Sequence, residues 1–134
     1  MKTYVLDASA LFAFLRDTPG AAKVDDLLRE AMRGRARALM SAVNYGEVYG
    51  KILRDIGREL AVTTVQAVNP LAIEMVDVTP QRACQAADVK VKYKLYYADS
   101  FAAALAIEHK ATLVTGDNDF RRLGRDFPVL WLKS

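Results

Sequence analysis

The chain has 134 residues, 52% of them hydrophobic and 26% charged, with seven glycines and four prolines. These figures predict a single domain over residues 1–134 that builds its own core, and they argue against disorder or dependence on disulfide or metal staples. Nineteen Lys and Arg against sixteen Asp and Glu leave a net +3, a mild excess that suits polyanions without demonstrating them, while the lone Cys84 has no partner for an internal disulfide and points to a reducing compartment.

Thr3, Tyr4, Val5 and Leu6 are β-formers in a run too short for a helix, and Asp7 closes it, so the reading is a buried strand that ends in a carboxylate. An aspartate this early also breaks the apolar run of a secretory signal, and no stretch reaches membrane-spanning length, so a cytoplasmic protein is expected. Leu11, Phe12, Phe14 and Leu15 suggest a short helix stopped by Asp17, Thr18, Pro19 and Gly20. A second helix is predicted from Ala21 to Met32, with Val24, Leu27, Leu28 and Ala31 on one side. Arg37 to Met40 reads as a strand, with Ser41 as cap for a helix over Ala42 to Leu60 that carries Glu47 in its second turn.

A further helix is expected over Ala61 to Leu71, ending near Asn69 and Pro70. Ile73 to Val78 alternates with a period of two, and Thr79 and Pro80 then supply a cap and a first helical proline for a helix to Tyr93. Cys84 falls inside that helix and is expected to be buried as a small apolar side chain. A helix from Ala98 to His109, a buried-type strand over Thr112 to Thr115 and a last strand over Val129 to Leu132 complete the chain. Strands separated by helices predict a three-layer α/β/α sandwich around a mainly parallel sheet.

Two of these strands run into acids, Asp7 and Asp117, with Asp119 two residues further on. In a parallel sheet both ends lie on one edge, the edge where open α/β folds hold ligands, so the two acids can meet. Glu47 lies within a helix and Asp99 opens another, and each acid taken alone reads equally as a solvated charge or a helix-terminal partner. Gathered together, they stay ionised only beside a compensating cation, and oxygen donors without cysteine or histidine select Mg²⁺ or Mn²⁺ over zinc. The single histidine, His109, excludes acid–base chemistry that needs two, and its place at a helix end reads as a dipole partner.

Four segments carry a family resemblance: Asp7-Ala8-Ser9-Ala10, Asn44-Tyr45-Gly46-Glu47-Val48, Tyr97-Ala98-Asp99-Ser100-Phe101, and Thr115-Gly116-Asp117-Asn118-Asp119. In this order they resemble the motifs of PIN-domain ribonucleases, and most closely the VapC-type toxins of toxin–antitoxin pairs. The resemblance implies that Asp7, Glu47, Asp99 and Asp117 are catalytic metal ligands and that Asp119 is a more variable acidic ligand. Ser9, Asn44 and Thr115 fall on supporting polar positions. It further implies RNA hydrolysis by water activated at Mg²⁺ or Mn²⁺, with 5′-phosphate and 3′-hydroxyl ends, a cognate antitoxin as partner, and a homodimer formed through helices of the N-terminal half. Arg29, Arg33, Arg35, Arg37, Lys90, Lys92, Lys94, Arg121, Arg122 and Arg125 stand where they can border such a site, and Tyr93, Tyr96 and Tyr97 where they can stack bases. The alternatives are a structure-specific DNA or flap nuclease, a phospho-acceptor receiver, for which Asp7 lacks an adjacent acid, and a non-enzymatic metal-binding RNA or protein adaptor.

Overall fold

The computed structural model describes residues 1–133, from strand β1 (Lys2–Leu6) to strand β5 (Val129–Trp131). Between them lie α1 (Ala8–Arg16), α2 (Ala21–Met32), β2 (Ala36–Ser41), α3 (Ala42–Asp55), α4 (Arg58–Val68), β3 (Glu74–Val76), α5 (Pro80–Tyr93), α6 (Tyr97–His109) and β4 (Thr112–Thr115). A 3₁₀ helix, Asn118–Leu123, which the sequence reading passes over, buries Phe120 and Leu123 beyond β4.

All four strand pairings are parallel, in the order β3-β2-β1-β4-β5. Alternation along the inner strands sorts their side chains between two layers, as the period-two geometry of a strand requires. Val5, Leu39 and Leu113 join the core beneath α5 and α6, where Ala86, Val89, Phe101 and Leu105 are buried. Their neighbours Leu6, Ala38 and Val114 face the opposite way, against Val24, Leu27 and Leu28 of α2. A third cluster places Leu11 and Met40 against Val48, Ile52, Ala61 and Val68, which fastens α3 and α4 beside α1. The predicted α/β/α sandwich with a parallel sheet is therefore the fold.

Local signals explain most boundaries. Ser41 Oγ accepts from Val43 N at the start of α3, and Thr79 Oγ1 accepts from Arg82 N ahead of Pro80 at the start of α5. Three expectations need correction. The helix predicted to reach Leu60 stops at Asp55, because Gly57 takes φ 138°, a conformation open to glycine, and the chain doubles back into α4. The strand predicted over Ile73 to Val78 is only Glu74–Val76, an edge strand. Cys84 is exposed: α5 turns Ala86 and Val89 inward, and a residue two positions before Ala86 is rotated by about 200° to the outer face.

Among the described residues no helix is long and apolar enough to cross a membrane.

Candidate metal centre

The strand order reverses between β1 and β4: from β1 the sheet grows through β2 to β3 on one side, and through β4 to β5 on the other. At such a switch point the carboxyl ends of neighbouring strands open a crevice. Asp7 follows β1 and Asp117 lies two residues beyond β4, so both enter that crevice. Glu47 from α3 and Asp99 from the first turn of α6 converge on it, and Asp7, Ser9, Glu47, Asp99 and Asp117 line one cleft of about 460 Å³. Oxygens of Asp99, Asp117 and Asp119 lie within 4.8 Å of one another. All five acids expected from the sequence are thus brought to one place.

Asp7 is the anchor. It is only 3% exposed and caps α1 by accepting from Ala10 N at 2.8 Å through Oδ1. Ser9 Oγ donates to the same oxygen at 2.7 Å, and Thr115 Oγ1 donates to Oδ2. Each hydroxyl has one proton and spends it on Asp7, so their own 3.2 Å approach is held from elsewhere. Gly116 N donates to Ser9 Oγ, and Asp117 N to Thr115 Oγ1. The hydroxyls therefore tie the end of β4 to the end of β1 and set Asp117 beside Asp7. Asp117 Oδ1 in turn accepts from Asp119 N at 2.9 Å and starts the 3₁₀ helix.

Asn44 performs the same service across the cleft. It is fully buried, and its Nδ2 donates to Glu47 Oε1 at 2.8 Å and to the Ala98 carbonyl at 3.0 Å, so one amide orients Glu47 and holds it against the N-terminus of α6. Ser9, Asn44 and Thr115 thus each hydrogen-bond a cleft carboxylate.

The crowding has an electrostatic cost. Asp99 is pushed up from 3.8 to about 7, first by burial and then by Asp117, Glu47, Asp7 and Asp119. Burial raises Asp7 to about 6 even against its hydrogen bonds to Thr115, Ser9 and Ala10. Among the described residues no lysine or arginine forms an ion pair with any of the five acids. A divalent cation fits this donor set: the ligands are hard carboxylate oxygens, and Asp7 has used three of about four acceptor directions, which leaves one for an ion.

Other expectations shift. Arg29 pairs with Asp25, Arg33 and Arg35 with Glu30, and Arg37 with Glu74, all at or near the amino end of β2, the edge opposite the cleft. They do not border the site. Its lining cations are Lys51 and Arg54, which the sequence reading missed although they follow Glu47 by one and two turns of α3. Tyr93 packs on the core and Tyr97 meets Phe101 edge-on at 5.0 Å, whereas Tyr96 is 71% exposed. His109 lies in the last turn of α6, about 15 Å along the axis from Asp99, beside Glu108.

The family model of the PIN domain matches residues 4–126. The chain belongs to the PIN-domain family. No curated protein matches it by sequence. Solved structures of similar fold include VapBC2 from Rickettsia felis bound to a DNA fragment of its promoter, with TM-score 0.75, 16% identity and coverage of 96% of this chain and 97% of that one. VapBC-1 from nontypeable Haemophilus influenzae follows at TM-score 0.73, with 18% identity and coverage of 98% and 99%. VapC20 from Mycobacterium tuberculosis, described as a toxin that cleaves the sarcin–ricin loop, is similar at TM-score 0.70, with 17% identity and coverage of 90% and 95%. These likenesses cover at least 90% of each chain, so this PIN domain shares their fold over nearly its full length.

Proposed function

We propose that this PIN domain is a metal-dependent endoribonuclease and the toxin of a toxin–antitoxin pair. The observation that carries the reading is the carboxylate cleft at the switch point: Asp7, Glu47, Asp99 and Asp117 line it, Asp119 adjoins it, and no side-chain cation among the described residues neutralises them. Family membership supports nuclease chemistry, and the fold shared with VapC20, a toxin that cuts an RNA loop, supports RNA as the substrate class.

Bound Mg²⁺ or Mn²⁺ supplies a water of lowered pKa and a counter-charge for phosphate oxygens. Asp7, Glu47, Asp99 and Asp117 would hold the ion, with Asp119 as a further oxygen donor. Ser9 and Thr115 keep Asp7 aimed into the cleft, and Asn44 does so for Glu47. Lys51 and Arg54 stand at the rim without pairing with these acids, so a phosphodiester approaches a site of mixed sign. Attack by water leaves 5′-phosphate and 3′-hydroxyl ends and makes no use of the neighbouring 2′-hydroxyl.

The fold shared with VapBC complexes supports an antitoxin that covers the cleft. Apolar side chains left exposed on and between α2, α3 and α4, among them Met32 at 71% and Ile56 at 61%, support a homodimer through these helices.

The test uses purified protein with Mn²⁺ or Mg²⁺, an RNA mixture and a DNA oligonucleotide, with sequencing of the product ends. RNA cuts bearing 5′-phosphates are expected, lost on chelation and in Asp7→Asn and Asp99→Asn proteins that remain folded. Cyclic 2′,3′-phosphate ends, full activity of a folded protein carrying both Asp7→Asn and Asp99→Asn, or cleavage of DNA alone would each refute the assignment.

A further inference from the structure

Beyond the carboxylates the cleft continues. A second cavity of about 190 Å³ shares Ser9, Phe12 and Lys51 with it and runs on to Arg16, Gly116 and Lys133. Its chemistry is opposite: the acids stop, and Arg16, Lys51 and Lys133 supply three exposed positive charges, the first two against the half-buried Phe12 ring.

These cations differ from the six arginines that hold a carboxylate elsewhere on the surface. Arg29, Arg33, Arg35, Arg37, Arg54 and Arg82 are each engaged with a carboxylate. Among the described residues Arg16, Lys51 and Lys133 form no ion pair. Lys51 has an obvious candidate, since it follows Glu47 by four residues on α3, the order that favours a helical Glu–Lys pair. Its ammonium instead lies 5.0 Å from the centre of the Phe12 ring, and the Arg16 guanidinium lies 4.9 Å from it. Asp55 feels Lys51 and Arg16 only through space, because its hydrogen bond goes to Arg54 at 2.9 Å. Phe12 therefore fixes two cations beside the acidic cleft while leaving their charge unspent. An aromatic ring can do this because its face attracts a cation without neutralising it.

We infer that the shelf of Arg16, Lys51 and Lys133 beside Phe12 seats the RNA backbone on one side of the phosphodiester at the carboxylate cleft, with Lys51 at the joint between the two. This rests on the nuclease reading. Of the two cations that line the acidic cleft, Arg54 is held by Asp55, so phosphates next to the cut meet the unpaired ammonium and guanidinium groups of the continuous groove. Contacts of this kind position a strand without reading its bases, so the shelf contributes affinity and register rather than sequence choice.

The experiment measures binding of a fluorescein-labelled oligouridine to the full chain in Ca²⁺ across a salt series, with cleavage of the same RNA in Mn²⁺ assayed separately. Arg16→Ala, Lys51→Ala and Lys133→Ala are each expected to weaken binding about three- to ten-fold at low salt and to lower the slope of log Kd against log salt by about 0.7. Arg29→Ala, at the far edge of the sheet, is the control and keeps both affinity and slope. Thermal melts and Mn²⁺ binding verify that each variant is folded with its metal centre intact. Wild-type slopes in all three folded variants, or an equal loss in the Arg29→Ala control, overturn the shelf while cleavage by the wild type leaves the nuclease reading standing. A wild type that binds the RNA with these slopes but never cuts it overturns the nuclease reading instead, and one that neither binds nor cuts overturns both.

Discussion

Asp99 carries the clearest consequence for pH. Its carboxyl is raised from 3.8 to about 7 in the folded chain, so the native state takes up a proton that the unfolded chain has already released near neutrality. The associated stability is complete below the unfolded value and is lost as pH rises through the folded one. Asp7, raised to about 6, acts in the same direction and corresponds to roughly 3 kcal/mol withheld from folding at neutral pH. The melting temperature of metal-free protein is therefore expected to fall between about pH 4 and about pH 7, and Mn²⁺ to raise it far more at the upper end, where protons no longer compete. Asp99→Asn flattens that profile and raises the metal-free melting temperature at the upper end, and a profile that rises with pH would contradict the crowding of these acids. Asn44→Ala, which removes the amide between Glu47 and the Ala98 carbonyl, is expected to weaken Mn²⁺ binding about ten-fold by calorimetry. Asp7, Asp99 and Asp117 were legible because each sits at an element end, whereas Glu47, inside α3, was legible only as a motif position. Asn44, Ser9 and Thr115 were legible as motif positions, but their partners were not: Ser9 and Thr115 are 106 residues apart and nothing local joins them.

Among the elements, caps and turns were the most readable features. Ser41 and Thr79 announce α3 and α5 because a side-chain oxygen before a helix satisfies an amide the helix itself leaves open. Thr79→Ala is expected to cost about 1 kcal/mol in urea denaturation, with no change in metal binding. The turn between α1 and α2 is held more tightly. Gly20 has φ 99°, and a Cβ there would lie 2.7 Å from the Leu132 Cβ and 2.9 Å from the Leu132 carbonyl, so the substitution meets backbone as well as strain. Gly20→Ala is expected to cost about 2 kcal/mol or more by the same measurement. The break between α3 and α4 was harder to see. Apolar periodicity continues through it, and only the conformation of Gly57 lets Ala61 and Val68 fold back on Val48 and Ile52. The rim cations were missed for a related reason: Lys51 and Arg54 look like an ordinary polar helix face until α3 is set beside the end of β1.

Taken as a molecule, this PIN domain has a two-sided surface. One edge of its sheet gathers acids with free cations beside them, and the other carries the arginines already paired with Asp25, Glu30 and Glu74. Period-two alternation and strand-terminal acids could be read directly along the chain, because whether a side chain points to one layer or the other depends on its immediate neighbours. From them came the layered α/β architecture and the pair Asp7 and Asp117, while Glu47 and Asp99 were joined to that pair by the family resemblance. Strand order could not be read that way. Whether β4 lies beside β1 or beyond β3 leaves every local pattern unchanged, yet only the first arrangement places Asp117 against Asp7. Hydrophobic burial is indifferent to which partner supplies it, whereas charges meet only where the whole chain has been threaded to one point, so the site and its shelf had to wait for the packed sheet.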